Sequence, residues 1–221
     1  MSNNLFEGTG YEGDYKPLMP EYYPPQYKKY IDEEIELLKI KLKGADNILE
    51  AGVGIGRLIR HISPIVGKLI GIDNSDYMIK KATEVASGFG NVEIKKLDLE
   101  KISEKYPQGF FDYSLVMWNT LGNVSDEVLF LKSSAEVTKK EIIITVHKKG
   151  TLPQRRNWYK TVGIEVEKVD EDSETVYTDS GLRSKAYNLE DIQILAEKVN
   201  LKIENSKVLS DVVLWVELAK N

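Results

Sequence analysis

The residues most able to do chemistry in this 221-residue chain surround a turn that contains three glycines. An apolar run over residues 48–51 indicates a short buried strand, and Gly52, Gly54 and Gly56 follow it directly. A helical pattern of apolar residues begins at Leu58. Because glycine has no Cβ, a ligand can lie against the backbone of such a turn and against the free N–H groups of the helix start. The segment therefore predicts a site for a nucleotide-like ligand.

Acidic residues accompany three successive apolar runs. Glu50 lies in the first run, Asp73 ends a second run over residues 68–73, and Asp98 ends a third run that begins at Val92. A carboxylate at the end of the second strand can accept hydrogen bonds from both hydroxyls of a ribose. A buried carboxylate also needs a polar partner. The three acids therefore indicate a nucleoside site more specifically than the glycines do.

The glycine spacing differs from the dinucleotide-binding fingerprint G-x-G-x-x-G, because the third glycine comes one residue early and Arg57 takes its place. The pattern Glu50-x-Gly52-x-Gly54-x-Gly56 instead resembles motif I of the class I S-adenosylmethionine-dependent methyltransferases. Within that family, the chain is similar to the small-molecule enzymes of the glycine N-methyltransferase type.

This resemblance covers residues 27–147 and 188–219, and it implies S-adenosylmethionine as cofactor and S-adenosylhomocysteine as product. Glu50 and the three glycines would hold the methionine end of the cofactor, Asp73 the ribose and Asp98 the adenine. The other cofactor positions implied by the resemblance are Asn74 and Met78 near the ribose, Leu99 beside the adenine, and Trp118 at the boundary with the substrate.

Methyl transfer is an in-line displacement, so the protein mainly has to align the reacting atoms and exclude water. A general base is needed only when the acceptor arrives protonated. The candidate catalytic residues are His147, at the end of the fifth strand, and Asn119, at the end of the fourth; His147 equally suits a capping or core role. The candidate substrate residues are Asn119, Arg183, Tyr187 and Tyr15. Arg183 could bind a carboxylate, or it could simply be an exposed strand arginine.

The acceptor is expected to be a small molecule that takes the methyl group on nitrogen or oxygen. Residues 119–122 read Asn-Thr-Leu-Gly, which lacks the Asn/Asp-Pro-Pro-Tyr/Phe motif of methyltransferases acting on exocyclic amines of nucleic acids. Three alternatives stay open. The first is an RNA or protein methyltransferase that uses a basic segment with interleaved aromatics, residues 148–160. The second is a non-catalytic module that binds the cofactor, and the third is an NAD-dependent oxidoreductase.

Composition narrows the class of protein. Hydrophobic residues make up 42% of the chain and charged residues 29%, as in ordinary soluble proteins. The absence of cysteine excludes disulfides and thiolate metal sites, and we expect no metal. A net charge of −5 argues against general nucleic-acid binding. No segment suggests a membrane span or a signal peptide, so a cytoplasmic enzyme is expected, with monomer and homodimer both open.

Alternating strand and helix patterns predict the elements that position these residues, in a doubly wound, Rossmann-like seven-stranded sheet with helices on both faces. An amphipathic helix over residues 27–42 comes first. The predicted core strands are 48–51, 68–73, 92–97, 112–118, 141–147, 202–209 and 212–218. The last two are joined so tightly that they must be antiparallel. Intervening helices are predicted over 56–63, near 100–106, and after N-caps at Ser75, Ser125 and Asn188.

Two segments decorate this core within what we expect to be one methyltransferase domain over residues 1–221. Residues 1–30 carry six tyrosines among glycines and prolines, and predict an arm or lid over the site, or else a loosely ordered leader. Residues 148–162 are predicted to be a loop. Residues 163–187 alternate as three antiparallel strands, and residues 148–187 together would cover the substrate site.

Overall fold

A seven-stranded mixed sheet lies at the centre of the computed structural model, which describes residues 19–179 and 181–221. The strands are β1 (Asn47–Ala51), β2 (Lys68–Asp73), β3 (Val92–Lys96), β4 (Phe111–Val116), β5 (Thr138–His147), β6 (Val166–Asp170), β7 (Thr175–Thr178), β8 (Arg183–Ser184), β9 (Leu201–Leu209) and β10 (Val213–Lys220). The large sheet has the order β3-β2-β1-β4-β5-β10-β9, and β6-β7-β8 form a separate small sheet.

Strand direction follows the prediction from sequence. β1 pairs in parallel with β2 and β4, β2 with β3, and β4 with β5, whereas β10 is antiparallel to both β5 and β9. The doubly wound sheet with an antiparallel last strand is therefore confirmed. Because β1 to β5 are parallel, their carboxyl ends lie along one edge of the sheet, where ligands bind in open α/β folds.

Helices cover both faces of the sheet. They are α1 (Pro25–Leu42), α2 (Ile59–Ile62), α3 (Asp76–Ala86), α4 (Ile102–Lys105), α5 (Thr120–Asn123), α6 (Glu127–Val137), α7 (Leu152–Thr161) and α8 (Leu189–Lys198). Neighbouring side chains of β1 point to opposite faces: Ile48 packs in a core with α1, α2 and α3, and Leu49 in a core with α4, α6 and α8. None of the helices in the described residues is long and apolar enough to cross a membrane.

The insertion after β5 is partly as predicted. The three short antiparallel strands are present as β6, β7 and β8. The prediction of a loop over residues 148–162 is wrong, because residues 152–161 form α7. Its buried residues Leu152, Arg155, Trp158 and Tyr159 recur at helical spacing. The amphipathic pattern is hard to recognise in the sequence, because a charged residue, Arg155, lies on the buried face of the helix.

Local signals set most helix starts. Ser75 caps α3, and Asn188 forms a capping box with Asp191 at the start of α8, both as predicted. The predicted cap of α6 at Ser125 is wrong. Asp126 accepts from Val128 N and Leu129 N at 3.0 and 2.9 Å, while the Ser125 hydroxyl donates to Glu100. A carboxylate beside the helix start satisfies two free N–H groups at once.

Two elements begin or end at residues other than those predicted: the helix after the glycine turn and the strand β4. The helix predicted over 56–63 begins only at Ile59, because Gly54 and Gly56 have positive φ and hold the preceding residues in turns. The strand predicted over 112–118 ends at Val116, because Trp118 and Asn119 take the left-handed conformation.

Candidate active site

The glycine turn brings the end of β1 close to neighbouring backbone. Gly52, Gly54 and Gly56 have φ of +79°, +53° and +81°, a region that favours glycine. A Cβ added to Gly52 would lie 2.6 Å from the side chain of Thr120, at the start of α5. The turn therefore requires glycine both for its backbone conformation and for its close contact with the segment after β4.

Asp73 lies against this turn. Its Oδ2 accepts from Gly54 N at 3.0 Å and its Oδ1 from Ser75 N at 3.0 Å. Burial raises the pKa of Asp73 above its ordinary value, while the backbone N–H groups of Ser75, Gly54 and Asn74 act in the opposite direction. The carboxylate at the end of β2 is thus oriented by backbone N–H groups beside the glycine turn.

Glu50 is buried one strand away. Its Oε2 has no hydrogen-bond partner among the described residues. Burial raises its pKa to about 8; Arg57 opposes the rise, and the carboxylates of Glu34 and Asp73 add to it. Glu50 and Asp73 are therefore electrostatically coupled, as expected for two acids at the carboxyl ends of adjacent strands.

Asp98 follows β3 on the far side of β2. The backbone of Leu97 donates to the carbonyl of Asp73 at 2.9 Å, which sets Asp98 next to the end of β2. Asp98 accepts from Glu100 N at 3.1 Å, so it also begins the short 3-10 helix over Leu99–Lys101. Leu99 and Met78 are buried, and Asn74 is half-buried. The three acids thus lie in or just after three neighbouring strands at one edge of the sheet.

A buried polar network lies behind the glycine turn, and sequence reasoning missed it. Glu34 of α1 accepts from Arg57 Nη2 at 2.5 Å, from Thr145 Oγ1 at 2.9 Å and from the hydroxyl of Tyr30. Thr145 in turn accepts from Trp118 N at 3.0 Å. The available signal was a charge on the apolar stripe of α1, because Glu34 falls in helical step with Tyr30 and other buried residues.

Asn119 joins three elements. It follows β4 with φ of +65°, directly after Trp118 with φ of +52°. Its Oδ1 accepts from His147 N at 3.1 Å, and its Nδ2 donates to Ser184 Oγ at 3.4 Å. Residues held in sparsely populated conformations cluster at functional sites. The amide that sequence predicts to be catalytic therefore contacts β5 and β8 in this structure.

An aromatic cluster surrounds Trp118. The Tyr23 ring lies 4.7 Å from the Trp118 ring and the Tyr30 ring stacks on it at 5.5 Å, between centroids. Tyr27 lies 4.6 Å from Trp158 of α7, whose Nε1 donates to the carbonyl of Tyr22 at 2.9 Å. The chain segment before α1 is thereby joined to the inserted helix.

His147, at the end of β5, lies at the edge of this cluster. Its Nδ1 is 3.1 Å from the hydroxyl of Tyr27, and its side chain is buried. Burial holds the pKa of His147 well below its usual range, and the charge of Arg155 adds to this effect. The imidazole is therefore neutral at neutral pH.

The remaining predicted substrate residues lie elsewhere. Arg183 donates to the carbonyls of Gly122 and Val124 at 2.9 and 3.0 Å and to Glu127 at 2.7 Å. The buried Tyr187 donates to the same carboxylate at 2.9 Å. Both side chains thus have protein partners for the groups that could meet a substrate. Tyr15 lies outside the described residues.

The site fits S-adenosylmethionine. A nucleoside with an amino-acid end offers hydroxyls and a cation for carboxylates, and the glycine turn leaves room beside its backbone. The unpartnered Oε2 of Glu50 needs such a donor. In the described part of the chain, no group of three or more His, Cys, Asp or Glu residues could hold a metal ion.

Comparison with known proteins agrees with this geometry. Residues 48–141, which include all three acids, match the family model of a methyltransferase domain. A search of curated proteins finds no match. Among solved structures, a SAM-dependent methyltransferase from Aquifex aeolicus is 20% identical, with a TM-score of 0.67 over 96% of this chain and 98% of that one. A protein from Pyrococcus horikoshii OT3 is 19% identical, with a TM-score of 0.72 over 94% and 99%.

A third similar structure has a named substrate. The 1,6-didemethyltoxoflavin-N1-methyltransferase of Burkholderia thailandensis, solved with 1,6-didemethyltoxoflavin and S-adenosylhomocysteine, is 12% identical. Its TM-score is 0.63 over 88% of this chain and 85% of that one. At such identities the likeness establishes the fold, and the family model adds the methyltransferase domain to it. Residues 48–141 thus match a methyltransferase domain, and the chain has the fold of known S-adenosylmethionine-dependent methyltransferases.

Proposed function

We propose that this enzyme methylates a nitrogen or oxygen atom of a small-molecule acceptor. The observation that carries the proposal is the aromatic cover over the ends of β4 and β5. Tyr23, Tyr27 and Trp158 pack around Trp118 and His147, and Trp158 also bonds the chain segment before α1. An acceptor that fits beneath such a cover is small, whereas an RNA or a protein needs an open surface.

On this proposal the cofactor lies along the ends of β1, β2 and β3. Glu50 and the glycine turn hold its methionine end, Asp73 its ribose, and Asp98 and Leu99 its adenine. When bound, the cofactor supplies a methyl group made electrophilic by the adjacent sulfonium. The chain contributes alignment and exclusion of water. Trp118, the only half-buried ring in the described aromatic cluster around it, is the surface that the acceptor would contact.

For an acceptor that arrives protonated, we propose that Tyr27 and His147 receive the proton. Burial raises the pKa of Tyr27, so its hydroxyl keeps its proton. In the Nε2–H tautomer of His147, which this proposal requires, that hydroxyl donates to Nδ1. As the acceptor loses its proton to Tyr27 Oη, Tyr27 passes its own to Nδ1, and the ring becomes imidazolium. The neutral state of His147 is the one that such a transfer requires. Asn119 then acts by positioning, through its contact with His147 N.

The cover also gives the two decorations a role. We propose that residues 1–30 act as a lid over the acceptor and that residues 148–187 form the wall beside it. The contact between Trp158 and Tyr22 supports this role, because it joins the two segments. Residues 1–18 of the arm lie outside the described residues.

The basic segment gives little support to an RNA substrate. Arg155 is fully buried and donates to the carbonyls of Ser184 and Glu174, at 2.9 and 2.5 Å. Arg156 pairs with Glu171 at 3.3 Å, and Lys149 with Asp191 at 2.9 Å. A phosphate backbone requires cations that are free to contact it. The small-molecule substrate named for the Burkholderia thailandensis enzyme favours the same class of acceptor.

Labelled methyl transfer tests the proposal. The protein is incubated with methyl-labelled S-adenosylmethionine and a cell extract separated into metabolites, RNA and protein, with Asp73→Ala as the control that lacks the ribose ligand. We expect label in the metabolite fraction with the wild-type protein only. Label confined to RNA or protein would overturn the proposal. In that case Arg156→Glu should weaken the transfer in a salt-dependent manner.

A further inference from the structure

Arg57 occupies the position where the dinucleotide fingerprint has its third glycine, and its surroundings are unusual. Its Nη2 donates to Glu34 at 2.5 Å, and its guanidinium carbon lies 5.4 Å from the centre of the Trp118 ring. The side chain is 14% exposed. Its Nη1 is buried and has no hydrogen-bond partner among the described residues. A guanidinium is a rigid fork of donors, so a charged N–H group is left without an acceptor.

Glu34 fixes the direction of this fork. Its carboxylate already accepts from Thr145 and Tyr30, and α1 holds it in the core. Arg57 therefore has one donor anchored behind the glycine turn and another left over. Leaving a buried charged donor unsatisfied is unfavourable, by more than for a neutral group. A ligand that brings an anionic oxygen to Nη1 would remove this penalty.

Glu50 has an unsatisfied acceptor that complements the unsatisfied donor of Arg57. Its Oε2 is a buried acceptor with no donor among the residues that the structure describes, and the charge of Arg57 influences its ionisation. An unsatisfied donor and an unsatisfied acceptor thus occur in one charged cluster beside the glycine turn. The α-carboxylate and α-ammonium of an amino acid match such a pair in charge and in hydrogen bonding.

We propose that Arg57 binds the α-carboxylate of the cofactor's methionine moiety through Nη1, held in place by Glu34, and that it makes the site selective for a cofactor with an intact amino-acid end. The inference rests on the cofactor assigned to this family and is independent of the acceptor proposed above. The alternative is that Arg57 only stabilises the fold by pairing with Glu34 and packing on Trp118.

A ligand that lacks only the carboxylate separates the two roles. S-adenosylmethionine and its decarboxylated form share the adenosine, the sulfonium and the amine. Calorimetric titration of the wild-type protein should show about 10- to 100-fold tighter binding of the intact cofactor, as expected for one charged hydrogen bond. In Arg57→Lys the positive charge near Glu34 remains but the fork is lost, and we expect this ratio to fall towards one.

Controls keep the test decisive. Arg60→Met removes an exposed arginine three residues further on and should leave both affinities unchanged. The double variant Arg57→Met, Glu34→Gln removes both charges without leaving either buried alone, and it should also lose the discrimination. Equal weakening of both ligands, or an unchanged ratio in Arg57→Lys, would assign Arg57 a purely structural role. Wild-type protein that binds neither ligand would overturn the cofactor assignment and this inference together. Transfer of labelled methyl groups to RNA would contradict only the proposed small-molecule acceptor.

Discussion

The backbone N–H of Gly54 donates to Oδ2 of Asp73 at 3.0 Å, so the glycine turn after β1 and the carboxylate at the end of β2 are joined directly. The second oxygen of the same carboxylate holds Ser75 N, at the start of α3. Asp73 therefore fixes the shape of the turn in addition to its proposed contact with the ribose. This double role means that its removal should affect the folded protein and the cofactor together.

The variant Asp73→Ala removes the acceptor for both backbone N–H groups. We expect binding of S-adenosylhomocysteine to weaken about 10- to 100-fold and the protein to lose about 1–3 kcal/mol of stability. Asp73→Asn is the matched control, because its one carbonyl oxygen keeps one of the two N–H groups satisfied and should give intermediate values. Calorimetric titration and urea unfolding measure the two effects. Unchanged affinity in Asp73→Ala would remove this residue from the site.

A second prediction concerns the stability of the protein without cofactor as a function of pH. Burial raises the pKa of Glu50 to about 8, whereas an unfolded glutamate has a pKa of about 4.3. Between these values the unfolded chain has released a proton that the folded chain still holds, so the stabilising contribution present below pH ~4.3 is lost as pH rises towards about 8.

Glu50→Gln cannot ionise and should lack this loss. Relative to wild type, the variant should become more stable by an amount that grows from pH ~4.3 to about 8 and reaches on the order of 5 kcal/mol. Urea unfolding at several pH values measures the difference. A constant difference across this range would mean that Glu50 titrates normally in the folded protein.

The sequence predicted the parts of the site that depend on local order. Glu50 and Asp73 belong to strands, and Asp98 lies two residues after β3. Parallel strands bring their carboxyl ends to one edge. The glycine turn is equally local, because its φ values require glycine. A strand-by-strand interpretation therefore suffices to place the three acids at one edge of the sheet.

The parts that the sequence did not predict depend on long-range packing. Glu34 and Thr145 are hydrogen-bonded although they are 111 residues apart in the sequence. Tyr27 and His147 are in hydrogen-bond contact at a separation of 120 residues. No periodicity identifies which buried polar residues will pair. α7 was missed for a related reason: Arg155 is counted as a surface charge by composition, yet its guanidinium is buried against the carbonyls of Ser184 and Glu174.

A third prediction separates backbone strain from hydrogen bonding at Asn119. Its φ of +65° is unfavourable for residues with a Cβ, although asparagine tolerates it better than most. Asn119→Ala and Asn119→Gly both lose the contacts to His147 N and Ser184, but only alanine adds backbone strain. We expect Asn119→Ala to be less stable than Asn119→Gly by about 1 kcal/mol in urea unfolding. The opposite order would argue against a left-handed residue at this position.

A fourth prediction concerns acid. Burial holds the pKa of His147 well below its usual range, while a histidine in the unfolded chain has a pKa of about 6.5. Below pH ~6.5 the His147 imidazole binds a proton in the unfolded chain but stays neutral in the folded chain. The contribution of His147 is therefore fully present above this pH and is lost as pH falls, by up to about 1.4 kcal/mol per pH unit, until the folded pKa is reached.

His147→Gln should flatten this acid-side decline, and Tyr27→Phe provides the matched control. The phenylalanine variant keeps the imidazole buried but removes the hydroxyl 3.1 Å from Nδ1, so it should be less stable by about 1 kcal/mol with its acid-side slope retained. Urea unfolding at pH values from about 4.5 to about 8, on both sides of the unfolded histidine pKa of about 6.5, distinguishes the two variants. Parallel stability curves for wild type and His147→Gln would show that His147 accepts a proton readily in the folded state. The neutral imidazole that the proposed proton transfer needs would then be lost on mild acidification.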